Sequence, residues 1–199
     1  MQRVLRHEVD VIVGTQMVAK GLDFPLVSTV GIINADTLLH LPDIRSAERT
    51  FQLLTQVAGR AGRRTPGARV IVQSYTPDHY AIDAASRHDY AAFYREEIAF
   101  RRKHGYPPFR RLIRFVYRHP DEVTCQTTAA EVADLLAATA DRLGARDVDL
   151  LGPTPAFTAK VRGRYQWQIL LRGADSHAVA SAVDLDPGWA IDVDPLSVL

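Results

Sequence analysis

Cysteine is nearly absent from this chain, since Cys125 is the single one among its 199 residues. One thiol can form neither an internal disulfide nor a Cys-x-x-Cys zinc site, and we expect no metal-binding residues here. Long apolar runs are also missing: no stretch approaches the roughly 20 residues of a membrane-spanning helix, and the first residues lack the apolar segment of a signal peptide. We therefore expect a soluble, cytoplasmic protein without a membrane partner.

An excess of charge of either sign is missing as well. Lys and Arg total 24, Asp and Glu total 23, and the formal net charge is +1. This balance does not by itself argue for a nucleic-acid partner, so any such argument has to come from local clusters. The hydrophobic fraction of 47% and the charged fraction of 24% are those of an ordinary globular protein with one or two domains.

Motifs that bind nucleotide phosphates are a further absence. The sequence has no G-x-x-x-x-G-K-[ST] loop to hold phosphates and no Asp-Glu-x-His motif to hold magnesium. Asp121 and Glu122 match only the first two letters of the latter, and we interpret them as the start of a helix, where acidic residues face the positive end of the dipole. We do not expect these residues to hydrolyse ATP alone.

The first part of the chain has the pattern of an α/β domain. Three β-branched apolar runs, 9–13, 27–33 and 69–73, predict buried strands, and a helical pattern begins near Asp43. Strands that alternate with helices form a parallel sheet, whose ligands lie beyond the carboxyl ends of the strands. Because three strands are few for such a sheet, residues 1–78 are predicted to be part of a larger domain.

The rest of the chain predicts a helical connector and a second domain. Residues 79–109 are polar and helix-prone until two prolines interrupt them, and residues 110–199 predict strands at 111–118, 148–151, 164–172 and 190–193. A helix closed by Gly144 and a short helix around 177–183 lie between these strands. The order β-α-β-β-α-β predicts a small α+β domain, a ferredoxin-like sandwich. The first of these helices is predicted to place on one face the residues Val132, Leu135, Leu136, Thr139 and Leu143.

The segment 56–63 reads Gln-Val-Ala-Gly-Arg-Ala-Gly-Arg and carries the strongest functional signal. If the helix continues through it, Gln56, Arg60 and Arg63 project from one face. Guanidinium groups on one rigid surface can neutralise the charge that builds up on a γ-phosphate during hydrolysis. An isolated Arg-x-Gly-Arg is more often an exposed basic helix end. The complete pattern, however, resembles motif VI of superfamily 2 helicases.

A second motif precedes it, because residues 14–25 resemble motif V of the same superfamily. The resemblance implies a RecA-like helicase lobe 2 for residues 1–78, with a loop that touches both DNA and nucleotide. It assigns DNA contacts to Thr15, Gln16 and Lys20. It assigns the nucleotide side to Gly21 and Asp23, together with Gln56 as the nucleotide-orienting residue and Arg60 and Arg63 as the catalytic arginines.

Segments outside these motifs narrow the resemblance to the primosomal protein N′ (PriA) family. They are 34–36, 41–55, 106–109, 151–156, 163–168 and 191–195, so the likeness covers essentially the whole chain. It implies an ATP-dependent 3′–5′ DNA helicase that uses ATP and Mg²⁺ in replication restart and primosome assembly. The implied partners are forked or single-stranded DNA, the C-terminal tail of single-stranded DNA-binding protein, and other primosome proteins. The family's zinc-binding insertion lies upstream of motif V, so zinc is expected of the family and not of these residues.

The predicted strand 164–172 has two different faces. Its odd-numbered residues from Tyr165 to Leu171 are apolar and predict core, while Arg164, Gln166, Gln168 and Arg172 predict an open, solvated face. The family resemblance gives Arg164 and Gln168 a further role, which is to receive the acidic tail of single-stranded DNA-binding protein. An arginine fork binds a terminal carboxylate and a glutamine adds a neutral hydrogen bond, so the residue types suit that ligand.

Basic and aromatic residues alternate between 101 and 118. Guanidinium groups pair with phosphates and bases stack on rings, so this cluster fits DNA, but a plain solvated face remains the alternative. Two functions therefore stay open for the chain: the C-terminal portion of a helicase, or a non-catalytic module that docks DNA and a partner protein. An RNA helicase remnant is disfavoured because it should lack the segments 163–168 and 191–195.

Overall fold

The computed structural model describes residues 6, 8–15, 27–59 and 69–199. The chain divides into two compact units, of which unit 1 comprises Met1–Leu41 and Ser46–Glu97 and unit 2 comprises Pro42–Arg45 and Ile98–Leu199. Within the described ranges, none of the helices has the length and apolar character needed to cross a membrane.

Unit 1 contains two parallel strands and the helices that follow them. The strands β1 (Thr29–Ile32) and β2 (Arg69–Val72) pair in parallel, with Thr29 opposite Arg69. This confirms the parallel pairing predicted for two of the three apolar runs. The helices are α1 (Asp36–Leu39), α2 (Ser46–Ala58), α3 (Tyr80–Ser86) and the first part of α4 (Tyr90–His104).

The predicted strand at 9–13 is wrong. The structure describes residues 8–15 without a strand, and Val11 and Val13 are 74% and 90% exposed. A parallel strand exists only through hydrogen bonds to a neighbour, and the described sheet of unit 1 consists of β1 and β2 alone. The apolar pattern of 9–13 therefore has no ladder to join within the described residues.

The core of unit 1 forms between its helices. Phe51 and Leu54 are buried on one face of α2, where they pack with Ile82 of α3 and Phe93 of α4. The rings of Phe51 and Phe93 stack with centroids 4.3 Å apart. Burial at every third or fourth position of α2 leaves its opposite face, which includes Gln56, exposed.

Unit 2 is the predicted ferredoxin-like sandwich. Its elements are β3 (Leu112–His119), α5 (Glu122–Leu143), β4 (Asp149–Val161), β5 (Arg164–Arg172), α6 (Ser176–Ser181) and β6 (Trp189–Val193). The four strands lie in the order β4-β5-β3-β6, and every neighbouring pair is antiparallel. The mixed α/β class and the β-α-β-β-α-β order predicted from the sequence are confirmed.

Helix α5 covers one side of this sheet. The Asp121 side chain caps its start by accepting a 2.8 Å hydrogen bond from the Thr124 amide, and Gly144 ends it in the left-handed conformation, as predicted. The predicted face is only partly buried, since Leu135 and Leu143 are 45% and 47% exposed. Small residues reach the sheet where the helix approaches it closely, so the buried side chains are Cys125, Ala129, Val132, Ala133, Leu136 and Thr139.

Candidate functional site

Most of the predicted motif V residues lie outside the described residues. These are Gln16, Lys20, Gly21 and Asp23. Thr15 is described; it is exposed and lies in neither a helix nor a strand. Its contact with DNA therefore stays a prediction.

The predicted motif VI residues are divided in the same way. Gln56 is exposed in the last turn of α2, and the Gly59 amide donates a 2.9 Å hydrogen bond to the Thr55 carbonyl. The helix ends at Ala58, whereas a common face for Gln56, Arg60 and Arg63 required it to continue. The two arginines lie outside the described residues, so their roles stay predictions.

A buried carboxylate that sequence reasoning did not single out joins α1 to the segment after β2. Asp36 accepts hydrogen bonds from the Ser74 hydroxyl at 2.8 Å, the Tyr75 amide at 2.9 Å and the Thr76 hydroxyl at 2.7 Å. These bonds lower the pKa of Asp36 to about 2, and the bond from Thr76 has the largest effect. Both carboxylate oxygens already accept protein hydrogen bonds, so Asp36 acts as a clamp within unit 1. Paired hydroxyl residues directly after an apolar run, Ser74 and Thr76, were the available signal.

The face of β5 that carries Arg164 and Gln168 is the best-described candidate site. Arg164 is exposed and directly follows the two-residue turn of the β4–β5 hairpin, in which Arg162 and Gly163 both have positive φ, 50° and 79°. Gln168 lies four residues further along the same face, roughly 13 Å away at the usual strand rise. The predicted pair thus shares one face.

The prediction that this face is wholly open is wrong. Gln166 and Gln168 are only 8% and 9% exposed. Arginines of the neighbouring strand β3 lie across them: Arg118 Nε donates to Gln166 Oε1 at 2.7 Å, and Arg114 Nε donates to Gln168 Oε1 at 2.8 Å. We call these five residues, Arg114, Arg118, Arg164, Gln166 and Gln168, the Arg/Gln face.

The charge of the Arg/Gln face is positive but partly balanced. Burial is the largest influence on the pKa of Arg114 and lowers it from its ordinary value, and the nearby Arg118 charge acts in the same direction. The carboxylates of Asp192, which lies opposite Arg114 on β6, and of Asp43 act in the other direction. An anionic ligand on this face would therefore meet three arginine charges and the repulsion of Asp192.

The basic and aromatic cluster between 101 and 118 is largely built into unit 2. Arg110 forms ion pairs with Asp147 and Asp149, and Arg111 pairs with Asp194 at 2.9 Å. Phe115 is fully buried in the core between the sheet and α5. Internal ion pairs thus engage Arg110 and Arg111, two of the cations that were considered for DNA.

Neither a nucleophile nor a metal cluster emerges from the described residues. Cys125 is buried against the carbonyls of Tyr117 and Tyr165, and burial raises the pKa of its thiol, which disfavours the reactive thiolate. Residues 8–15, 27–59 and 69–199 contain no group of three or more His, Cys, Asp or Glu arranged to hold a metal ion.

Two family models match the chain. The model of the Primosomal protein N C-terminal domain matches residues 102–196, and that of the Helicase conserved C-terminal domain matches residues 1–65. The first range includes the whole sheet of unit 2 and the Arg/Gln face. The second includes both predicted helicase motifs.

Curated relatives are similar over most or all of the chain. It is 47% identical over 163 residues to replication restart protein PriA of Bacillus subtilis, which covers 82% of this chain and 20% of that protein. It is 44% identical to the Treponema pallidum protein of the same name, over 100% of this chain and 31% of that one. It is 40% identical to the Synechocystis protein of the same name, over 97% of this chain and 24% of that protein. The chain therefore spans between about a fifth and a third of the length of these relatives.

Proposed function

Because the chain belongs to the family of replication restart protein PriA and forms its C-terminal portion, we propose that the whole protein is an ATP-dependent 3′–5′ DNA helicase. Its substrate would be forked or single-stranded DNA, and its place would be in replication restart and primosome assembly. The family resemblance supports this proposal, together with the match of residues 1–65 to a helicase domain.

In that enzyme, unit 1 would supply the motif V and VI side of the ATP cleft. Gln56 fits a nucleotide-facing role because it is exposed at the end of α2. Asp36 does not fit a magnesium ligand, since its oxygens already accept three hydrogen bonds. Mg²⁺ would neutralise phosphate charge when bound, with ligands from outside this chain. The roles proposed by resemblance are DNA contact for Thr15, Gln16 and Lys20, nucleotide contact for Gly21 and Asp23, and charge stabilisation for Arg60 and Arg63.

ATP hydrolysis tests the enzymatic half of the proposal. The chain lacks a phosphate-binding loop, so we expect no turnover above background with or without forked DNA. Arg63→Ala in the full-length protein should abolish DNA-stimulated hydrolysis, because a guanidinium at the γ-phosphate is worth orders of magnitude in rate. Turnover by the 199-residue chain itself would contradict the part of the proposal that places the phosphate and Mg²⁺ ligands outside this chain, because the chain would then contain a complete phosphate site.

For the chain as it stands, the geometry best supports a second proposal: the Arg/Gln face of unit 2 docks the acidic C-terminal tail of single-stranded DNA-binding protein. The observation that carries it is the 2.8 Å hydrogen bond from Arg114 Nε to Gln168 Oε1, which directs the amide nitrogen of Gln168 away from the arginine. Arg164 can fork onto a carboxylate and Gln168 can donate one further hydrogen bond. This is the non-catalytic binding function that the sequence left open.

A labelled acidic peptide with a free C-terminal carboxylate tests the docking. Fluorescence anisotropy should show saturable binding that Arg164→Ala weakens roughly tenfold or more, because a charge-assisted hydrogen bond is lost. Arg142→Ala is the matched control: it removes the same charge from α5, which packs on the opposite side of the sheet. If both variants lose the same peptide affinity, the peptide is attracted by net charge alone, and a defined site on this face is refuted.

A further inference from the structure

Two arginine–glutamine pairs with the same donor and acceptor atoms lie side by side on β3 and β5. In each, an arginine Nε donates to the glutamine oxygen, from Arg114 to Gln168 at 2.8 Å and from Arg118 to Gln166 at 2.7 Å. A guanidinium has no acceptor, so each glutamine must turn its oxygen toward the arginine and its NH₂ group away from it. The arginine therefore decides which end of the amide is left for other partners.

The two glutamines differ in what happens at the other end of the amide. Gln166 Nε2 donates to the Thr158 carbonyl of β4 at 3.0 Å, which closes the pair. No acceptor within the described residues is paired with Gln168 Nε2, although the residue is only 9% exposed. Gln168 thus presents an oriented donor that the described residues leave available, whereas Gln166 does not.

We infer that Arg114 is a positioning residue of the docking site: by holding the Gln168 oxygen, it keeps the NH₂ group facing the ligand and makes the site select a carboxylate. This rests on the proposed docking of an acidic tail. An amide free to turn over would present its oxygen to the carboxylate for part of the time, and that arrangement is repulsive. Because Arg114 fixes the donor before the ligand binds, this repulsion is avoided and no entropy is lost in ordering the amide on binding.

Arg114→Lys tests the inference because it keeps the positive charge but loses the planar Nε donor. Binding of the acidic peptide by the 199-residue chain should weaken roughly three- to tenfold, the value of one hydrogen bond. Arg118→Lys makes the same change in the closed pair, and because the Gln166 amide already donates to the Thr158 carbonyl, it should weaken binding less than Arg114→Lys does. Thermal unfolding of each variant reports whether the fold is intact.

A double-variant comparison separates positioning from simple attraction by charge. In a Gln168→Met background, Arg114→Lys should have no further effect on peptide affinity, because the group through which Arg114 acts is gone. A second variant, Gln168→Glu, keeps an acceptor for Arg114 but replaces the outward donor with an oxygen. It should weaken binding by more than tenfold while the midpoint of thermal unfolding stays close to that of the parent chain.

The outcomes distinguish this inference from the docking proposal. If the unaltered chain binds no acidic peptide, the docking proposal itself fails and the inference with it. If the chain binds the peptide but Arg114→Lys and Arg118→Lys behave alike, docking stands and positioning by Arg114 is wrong. An equal loss from Arg114→Lys in the presence and absence of Gln168 would also overturn it, because Arg114 would then act by charge alone.

Discussion

Asp36 accepts a 2.7 Å hydrogen bond from the Thr76 hydroxyl, forty residues later in the chain. With two further bonds from Ser74 and Tyr75, it joins the start of α1 to the segment that follows β2. The same segment is held by backbone hydrogen bonds, such as that from the Ala35 amide to the Gln73 carbonyl at 2.9 Å. This clamp holds together the loops at the carboxyl ends of the two parallel strands.

Protonation of Asp36 should destabilise unit 1. Its folded-state pKa of about 2 lies below the ordinary value of 3.8, so its contribution to stability is present above pH 4. That contribution should be lost as the pH falls from about 4 to about 2. Asp36→Asn should lower the thermal midpoint at neutral pH and flatten its dependence on pH in this window. Circular dichroism measures the thermal midpoint at each pH. If the midpoint falls equally with pH in parent and variant, Asp36 is not the group responsible.

Leu136 and Leu135 are neighbours on α5 with opposite environments. Leu136 is fully buried against the sheet and Leu135 is 45% exposed. Leu136→Ala should lower the free energy of unfolding by about 2 to 5 kcal/mol, because it removes buried apolar surface and leaves a cavity. Leu135→Ala should cost well under half as much. Urea unfolding of the two variants measures the difference, and similar losses would contradict the described packing.

Gly152 is required for the close approach of β4 to β5. At its φ of 99°, an added Cβ would lie 2.8 Å from the Gln168 carbonyl oxygen. Gly152→Ala should destabilise unit 2 and weaken acidic-peptide binding, because relief of the clash has to move the backbone that carries Gln168. Gly144→Ala shares the positive φ but has nothing within 4 Å of the new Cβ, so it should cost only about 1 kcal/mol of strain. Urea unfolding and peptide anisotropy on both variants test this, and equal effects of the two would rule out the clash.

Asp192 should oppose the proposed ligand of the Arg/Gln face. It lies opposite Arg114 in the register of β3 and β6, so its carboxylate repels an acidic tail while it compensates the arginine. Asp192→Asn should strengthen peptide binding by about two- to fivefold at low salt, as expected for one partly screened charge, and less at high salt. An unchanged or weaker affinity at low salt would show that the peptide does not bind near β6.

Several features of unit 2 follow from local pattern alone. The apolar alternation predicted its strands, and Asp121 and Gly144 marked the ends of α5, because caps act within one helical turn. In unit 1, the runs around Thr29–Ile32 and Arg69–Val72 were predicted as parallel strands for the same reason. The motifs at 14–25 and 56–63 carried the family resemblance, but most of their residues lie outside those that the structure describes.

Other features needed contacts between residues far apart in sequence. The pattern of α5 could not show that Leu135 is exposed, because the sheet, and not the helix, decides which side is covered. The run 9–13 has the composition of a strand, yet strand formation depends on a neighbour to receive its hydrogen bonds. Hydrophobic spacing describes one element at a time and cannot supply that neighbour.

The Arg/Gln face also has one part that the sequence determined and one part that depends on contacts between distant residues. The sequence by itself determined that Arg164 and Gln168 share one face of a strand, because side chains alternate with a period of two. Only the tertiary structure placed Arg114, which is 54 residues earlier, against the Gln168 oxygen, so that the NH₂ group is turned away from the arginine. Strand order in a sheet is set by packing of whole elements, so the orientation of a single amide, and with it the chemistry of the site, becomes defined only when the sheet is assembled.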